Sequence, residues 1–366
     1  MVILGKYNYF IRNMEEYLMS SKYKLRIIRN VFFVLLGLIL VFTSIICISF
    51  YNEILTISSI KKINAVPVYE MNYKGDFGFD KYLNTGSTSY SEYVDFMNAN
   101  LLKGIPKFYY DKFECSTFFA KTPEGDYIMG RNLDTEVSIP FVLKTNSKNS
   151  LKTIGIANLR TLGWNSTNIV SKLTALSAPY YTFDGMNENG VAVAAMSVPV
   201  GSRSDIEQNK ITLYDHAVIR LTLEKAENVD DAIKQLSKYN VKMEDTYPSH
   251  YMIADAAGNC AVIDYVDGSM KVIRKGDTYQ IATNMLTYNN EKHQGYSAER
   301  YQAFEKVLSE KSGVISVEDA LELLVENTVP GDEQWSSVYN LTDKTMSVKF
   351  YGDYENTYTY EIDEIP

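Results

Sequence analysis

The stretch "VFFVLLGLILVFTSIICISF", from Val31 to Phe50, contains no charged residue. About twenty residues at ~1.5 Å rise each cover the ~30 Å hydrocarbon core of a bilayer. Lys22, Lys24, Arg26 and Arg29 stand just before it. The positive-inside rule then makes residues 1–30 a cytoplasmic tail and 31–50 a membrane anchor, with everything after it outside the cytoplasm. A cleaved signal peptide is the competing reading. The apolar run is long for that, no A-x-A site follows, and about thirty residues precede it. "SIIC", ending at Cys47, is a poor lipoprotein box. The expectation is a single-pass signal anchor in the cell membrane.

The remainder of the 366 residues has room for one large domain or two ordinary ones. Hydrophobic content of 46% and charged content of 22% are those of a globular chain. A net charge of −9 argues against nucleic acid as a partner, because phosphate binding needs a basic surface. The 29 tyrosines suit a strand-rich protein. Three cysteines, Cys47, Cys115 and Cys260, show neither metal-ligand spacing nor a disulfide framework. His216, His250 and His293 stand singly, and no HExxH, HxH or CxxC occurs. Each histidine reads as a surface or satisfied core residue, and neither metal nor cofactor is expected.

Residues 51–114 divide into a tether, to about residue 65, and a helical preface. Ser89 or Ser91 caps a helix to about Leu102, with Tyr93, Phe96, Leu101 and Leu102 on its apolar face and Pro106 beyond its end. From Cys115 to residue 366 the pattern changes. "CSTFFAKT" and "YIMGRNLD" alternate as strands about the turn "PEGD". "YYTFDGMNENGVAVAAMSVPV" reads as strand, turn at Asn187–Gly190, strand. Two helices follow, the second capped near Asn228–Asp230. Then come strands to Asn284, two helices given Ser caps ("SAERYQAFEKVLSEK" and "SVEDALELLVEN") and closing strands. This order predicts an α+β domain of sheets faced by helices.

With Glu124 and Gly125 at the turn centre, Pro123 pairs with Asp126, and counting outward sets Cys115 opposite Asp134. Directly opposed side chains lie about 4.5–5.5 Å apart at Cβ. Arg131 then faces away, unless a bulge at Gly130 turns it back. A thiol beside a carboxylate still needs a base. A histidine is the usual one. An α-amino group, with an ordinary pKa of about 7.7–8.0, serves equally if Cys115 begins a chain. That scheme requires a cut between Glu114 and Cys115.

From Cys115 onward the chain resembles the choloylglycine hydrolase and linear amide C–N hydrolase group of N-terminal-nucleophile enzymes. The group includes bile salt hydrolases, penicillin V acylases, acid-ceramidase-like amidases and the isopenicillin-N acyltransferase branch. "CSTFFAKTPEGDYIMGRNLD" is similar to the opening hairpin of that group and "FDGMNENGVAVAAMS" to its second signature strand. "IATN", "YSAERYQAF" and "WSSVYNL" follow in family order. The resemblance implies an αββα four-layer sandwich and a small N-acyl amide substrate. It implies Cys115 as nucleophile, with Arg131 and Asp134 orienting its amine and thiol. It further implies Asn284 and the Ser197 N–H as oxyanion donors, and Arg300 as a second arginine. Bile salt hydrolases carry an asparagine where Ser197 stands, which puts bile-salt preference in doubt. The long preface resembles the branches that cut themselves into two fragments, which then associate or separate.

Plainer readings stand beside these. Cys115 is a buried structural thiol, Arg131 and Asp134 a surface ion pair, Asn284 a turn residue, and Arg300 part of a solvated helix face. Cys260 alternates with Ala261 and Ile263 as core. The function expected is thioester-forming hydrolysis of a linear amide. An acyltransferase and a non-catalytic surface binding protein on the same scaffold are the alternatives.

Overall fold

Two sheets organise the structure, a computed structural model that describes residues 2–63, 66–102, 113–164, 169–198, 205–276, 278–288 and 295–365. The chain divides into two units, Met1–Ile54 and Leu55–Pro366. The first unit contains a helix over Val2–Ser49, so the basic tail and the apolar run are one continuous helix. Among the described residues one helical stretch, Tyr9–Ser49, is long and apolar enough to cross a membrane.

In the second unit a six-stranded sheet runs in the order Gln280–Thr283, Glu114–Lys121, Tyr127–Thr135, Glu333–Asn340, Thr345–Phe350 and Asp353–Glu361. A nine-stranded sheet runs Lys61–Lys62, Tyr69–Tyr73, Pro140–Thr145, Thr153–Asn158, Thr182–Asn187, Ala192–Ser197, Ser249–Ala254, Cys260–Val266 and Ser269–Arg274. Successive strand residues point to opposite faces. Phe119, Met129, Trp335 and Tyr339 accordingly meet Ile154, Met186, Ala194 and Met252 between the sheets. Phe118, Ile128, Ile281 and Val338 face the other way and pack on Phe304, Leu308, Leu321 and Leu324. These four come from the helices Gly295–Glu310 and Val317–Glu326, the second capped by Ser316. Val193, Tyr251 and Ile263 cover the outer face of the nine-stranded sheet together with Val218, Leu221 and Leu236. Those three belong to the helices Ala217–Lys225 and Val229–Leu236, the latter capped by Asn228. Ser297, taken as a cap in the sequence, lies inside its helix. The strands Tyr69–Tyr73, Pro140–Thr145 and Thr153–Asn158 were not anticipated, nor was the short strand Thr212–Tyr214, which pairs in parallel with Asn240–Lys242.

The preface from Leu55 is built into this unit. Tyr69–Tyr73 adds to the nine-stranded sheet in parallel with Pro140–Thr145. Ser89 caps the helix Tyr90–Met97, which gives way to a π-helical turn over Asn98–Leu102. Tyr93 Oη donates to the Tyr180 carbonyl at 2.7 Å, and Tyr214 N–H donates to Tyr82 Oη at 2.9 Å. Pro106 and the side chain of Leu102 lie outside the described residues.

Candidate active site

The hairpin holding Cys115 closes through a longer loop than the turn count assumed. Lys121 pairs with Tyr127, leaving Thr122 to Asp126 as the loop. Cys115 is therefore opposite Leu133, and Asp134 is opposite Glu114. A one-residue shift of register moves every side chain to the other face. The expected Cys115–Asp134 opposition is thus overturned, and so is the expectation that Arg131 faces away. Arg131 is opposite Thr117, two residues along from Cys115 on the same face, with unbroken register through Gly130. Gly130 makes room rather than a bulge: a Cβ there would lie 2.5 Å from the Phe118 ring.

The side chains consequently sort into two layers. Cys115, fully buried, lies between the sheets. Burial pushes its thiol up to about 11, with the Arg131 guanidinium pulling the other way. Arg131 Nε is 3.5 Å from Asp184 Oδ2, and both residues are fully buried. Asp184 comes from Thr182–Asn187 in the opposite sheet and accepts from Trp335 Nε1 at 3.1 Å and from Tyr339 Oη. Burial raises the Asp184 carboxyl above its ordinary range, against the pull of Arg131.

On the helix side, Asp134 accepts from the Val329 N–H at 3.1 Å and from Arg300 Nη1 at 3.4 Å. Burial moves its carboxyl up to about 6, and Arg300 opposes the shift. Arg300 also reaches Glu114 Oε2 at 3.2 Å and Asn284 Oδ1 at 2.9 Å. It is buried, not part of a solvated face.

Asn284 joins the two layers. It follows the edge strand Gln280–Thr283, whose Thr283 pairs with Ser116. Its Oδ1 accepts the Cys115 backbone N–H at 2.6 Å, and its Nδ2 donates to the Ser197 carbonyl at 2.8 Å. All six residues singled out in the sequence thus meet in one network. Their pairings differ from those expected: Arg131 pairs with Asp184 and Asp134 with Arg300, while Ser197 offers its carbonyl to Asn284. Asp184 was missed. Its sequence signal was a lone acidic residue in the apolar strand "TFDGMN", a charge that has to be paired once buried.

Both ring nitrogens of His250 are engaged, by Asp264 at 2.9 Å and by the Thr283 carbonyl at 2.8 Å. His216 Nδ1 is 2.6 Å from Asp215 Oδ1, and His293 lies outside the described residues. Among the described residues no three His, Cys, Asp or Glu side chains gather as a metal site.

Residues 115–335 match the family described as linear amide C–N hydrolases, choloylglycine hydrolase family. The chain belongs to this family. The match begins at Cys115, the residue around which the network is built.

Among similar proteins, the bile salt hydrolase/transferase of Clostridium perfringens is 26% identical over 184 residues, 48% of this chain and 54% of that protein. The penicillin V acylase of Pectobacterium atrosepticum is 27% identical over 157 residues, 38% of this chain and 41% of that protein. The chain thus spans about half the length of the curated relatives it matches. A crystallised variant of conjugated bile acid hydrolase from C. perfringens superposes with a TM-score of 0.52 at 13% identity, over 68% of this chain and 93% of that one. That likeness concerns the fold, an N-terminal-nucleophile-hydrolase-like arrangement of mixed α and β elements.

Proposed function

We propose that this chain is a membrane-tethered cysteine amidohydrolase that cleaves the linear C–N bond of a small N-acyl amide. In this reading Leu55–Pro366 adopts the four-layer αββα arrangement of N-terminal-nucleophile enzymes, and the N-terminal helix is a signal anchor holding residues 115–366 outside the cytoplasm. The observation that carries it is the 2.6 Å contact between Cys115 N and Asn284 Oδ1. It sets the backbone nitrogen of the family's first matched residue against a polar side chain, with a guanidinium beside the thiol.

A thiol with its pKa near 11 is almost wholly protonated at neutral pH, so it needs a base. The proposed base is the α-amine of Cys115 itself, released by a cut before that residue. In the cut, Cys115 Sγ adds to the Glu114 carbonyl, the thiol proton passes to the Cys115 nitrogen as the C–N bond breaks, and the acyl group is left on sulfur as a thioester. Water then opens the thioester, leaving a Glu114 carboxylate and a Cys115 α-amine. In turnover the amine takes the thiol proton and Sγ adds to the substrate carbonyl. Asn284 and the Ser197 N–H receive the oxyanion. The proton passes to the departing amine, and water hydrolyses the acyl thioester. Oxyanion donors of this type contribute about 2.7–4 kcal/mol each.

A second reading keeps the same thioester and replaces water with an amine acceptor. It is favoured by the printed name of the C. perfringens relative, a hydrolase/transferase. Product analysis of a panel of acyl amides, with and without added amine, separates the two. Cys115→Ala should abolish both products while leaving the fold intact. Turnover retained by that variant would sink the proposal.

A further inference from the structure

Asn284 follows the end of an edge strand, where backbone position is weakly set by the sheet alone. Two fully buried residues of the opposite sheet hold it from both sides. His250 stands on Ser249–Ala254 and Asp264 on the adjacent Cys260–Val266. His250 Nε2 lies 2.8 Å from the carbonyl oxygen of Thr283, the residue before Asn284. Asp264 Oδ2 accepts the N–H of Tyr288, beyond Asn284, at 2.7 Å. The two side chains meet each other, Nδ1 to Oδ1, at 2.9 Å.

The protonation of this pair follows from its partners. A carbonyl only accepts, so His250 Nε2 carries a proton. A neutral ring in that tautomer would turn the Nδ1 lone pair onto a carboxylate lone pair. One further proton therefore sits between Nδ1 and Oδ1. The pair is then neutral overall and both imidazole nitrogens are satisfied, the form that burial favours.

We infer that His250 and Asp264 are positioning residues for the reaction: they clamp the backbone on both sides of Asn284 and so set its carboxamide against Cys115. The inference rests on the reading of Asn284 as a group that meets the reacting carbonyl. A buried core pair with no such role would affect stability alone. A misplaced reacting geometry costs up to about a hundredfold in rate.

The test is kinetics on the processed enzyme with an acyl amide substrate. His250→Ala should lower kcat by about ten- to a hundredfold, with KM changed less than about threefold. His250→Gln places an amide N–H near the position of Nε2 and should recover most of the loss. Asp264→Asn should be mild, because its amide N–H can donate to Nδ1 while its oxygen keeps Tyr288. In an Asn284→Ala background, His250→Ala should have little further effect, since residues acting through one another are not additive. Should His250→Ala not fold, the same cycle is run with His250→Asn, too short to reach Thr283. Full turnover by a folded His250→Ala, or losses that multiply in the double variant, would overturn the inference and leave Asn284's own role intact. Full turnover by Asn284→Ala would overturn the assignment of Asn284 and the inference with it.

Discussion

Arg131 and Asp184 form an ion pair that crosses from one sheet to the other, 3.5 Å from Nε to Oδ2 and fully buried at both ends. Asp184 is also held by Trp335 and Tyr339 of the six-stranded sheet. The guanidinium beside the thiol is therefore fixed by the layer facing it. Breaking a buried pair by removing one partner costs about 3–5 kcal/mol, because the remaining charge is left unpaired. Asp184→Ala should lose stability on that scale in urea titrations. Asp184→Leu with Arg131→Met should regain much of the stability yet remain inactive. That outcome would separate the pair's chemistry from its packing.

The thiol titration gives a direct test of the uncut site. Burial raises Cys115 to about 11, so the fold favours the neutral thiol. The thiolate fraction then rises about tenfold per pH unit below that value and levels off above it. In a chain blocked from processing, alkylation of Cys115 should follow this profile, far behind a free cysteine peptide at pH 8. Arg131 lowers the thiol pKa, so Arg131→Leu should move the profile to higher pH. Alkylation as fast as that of the free cysteine peptide, across the whole range, would contradict the buried placement.

Asn284 and Ser197 should respond very differently to truncation. Asn284→Ala removes contacts to Cys115 N, Arg300 and Ser197 together. With Asn284 donating to the oxyanion as proposed, acylation should slow by about a hundredfold or more. The Ser197 hydroxyl is buried without a hydrogen-bond partner among the described residues, and it is the carbonyl that holds Asn284. Ser197→Ala should therefore leave turnover within about twofold and stability unchanged or slightly higher, since an unsatisfied buried hydroxyl costs about 1–3 kcal/mol. Pre-steady-state acylation rates measure both.

Processing before Cys115 should leave the two fragments associated. Tyr69–Tyr73 is hydrogen-bonded into the nine-stranded sheet, and Tyr82 and Tyr93 are buried against Tyr180 and Tyr214. Gel filtration of cut protein in native buffer should give one species containing both pieces, and urea should separate them only as the domain unfolds. N-terminal sequencing should find Cys115 at the start of the larger piece. An uncut chain with full activity would refute the α-amine mechanism.

The apolar run, most of the strand and helix order after Cys115 (the strands Pro140–Thr145, Thr153–Asn158, Thr212–Tyr214 and Asn240–Lys242 excepted), and the helix caps at Ser89, Asn228 and Ser316 were legible because each is a local pattern. Charge-free length, alternation and capping chemistry act within a few residues. The same holds for the turn at Asn187–Gly190, where Asn187 Oδ1 accepts from Asn189 and Val191 and Gly190 takes a φ of 73°. The six site residues could be singled out through family-ordered motifs, but their partners could not. The loop 122–126 holds five residues where the turn count assumed two, and that odd difference shifted the hairpin register by one residue, exchanging Asp134 for Arg131 on the face of Cys115. Sequence alone cannot choose between those registers, because both strands are buried on both faces and no polar side marks the alternation. Asp184, His250 and Asp264 lie far along the chain from the groups they hold. Their roles come from stacking one sheet on the other: a buried charge or imidazole has to find its partner there, and only the packed layers determine which one it meets.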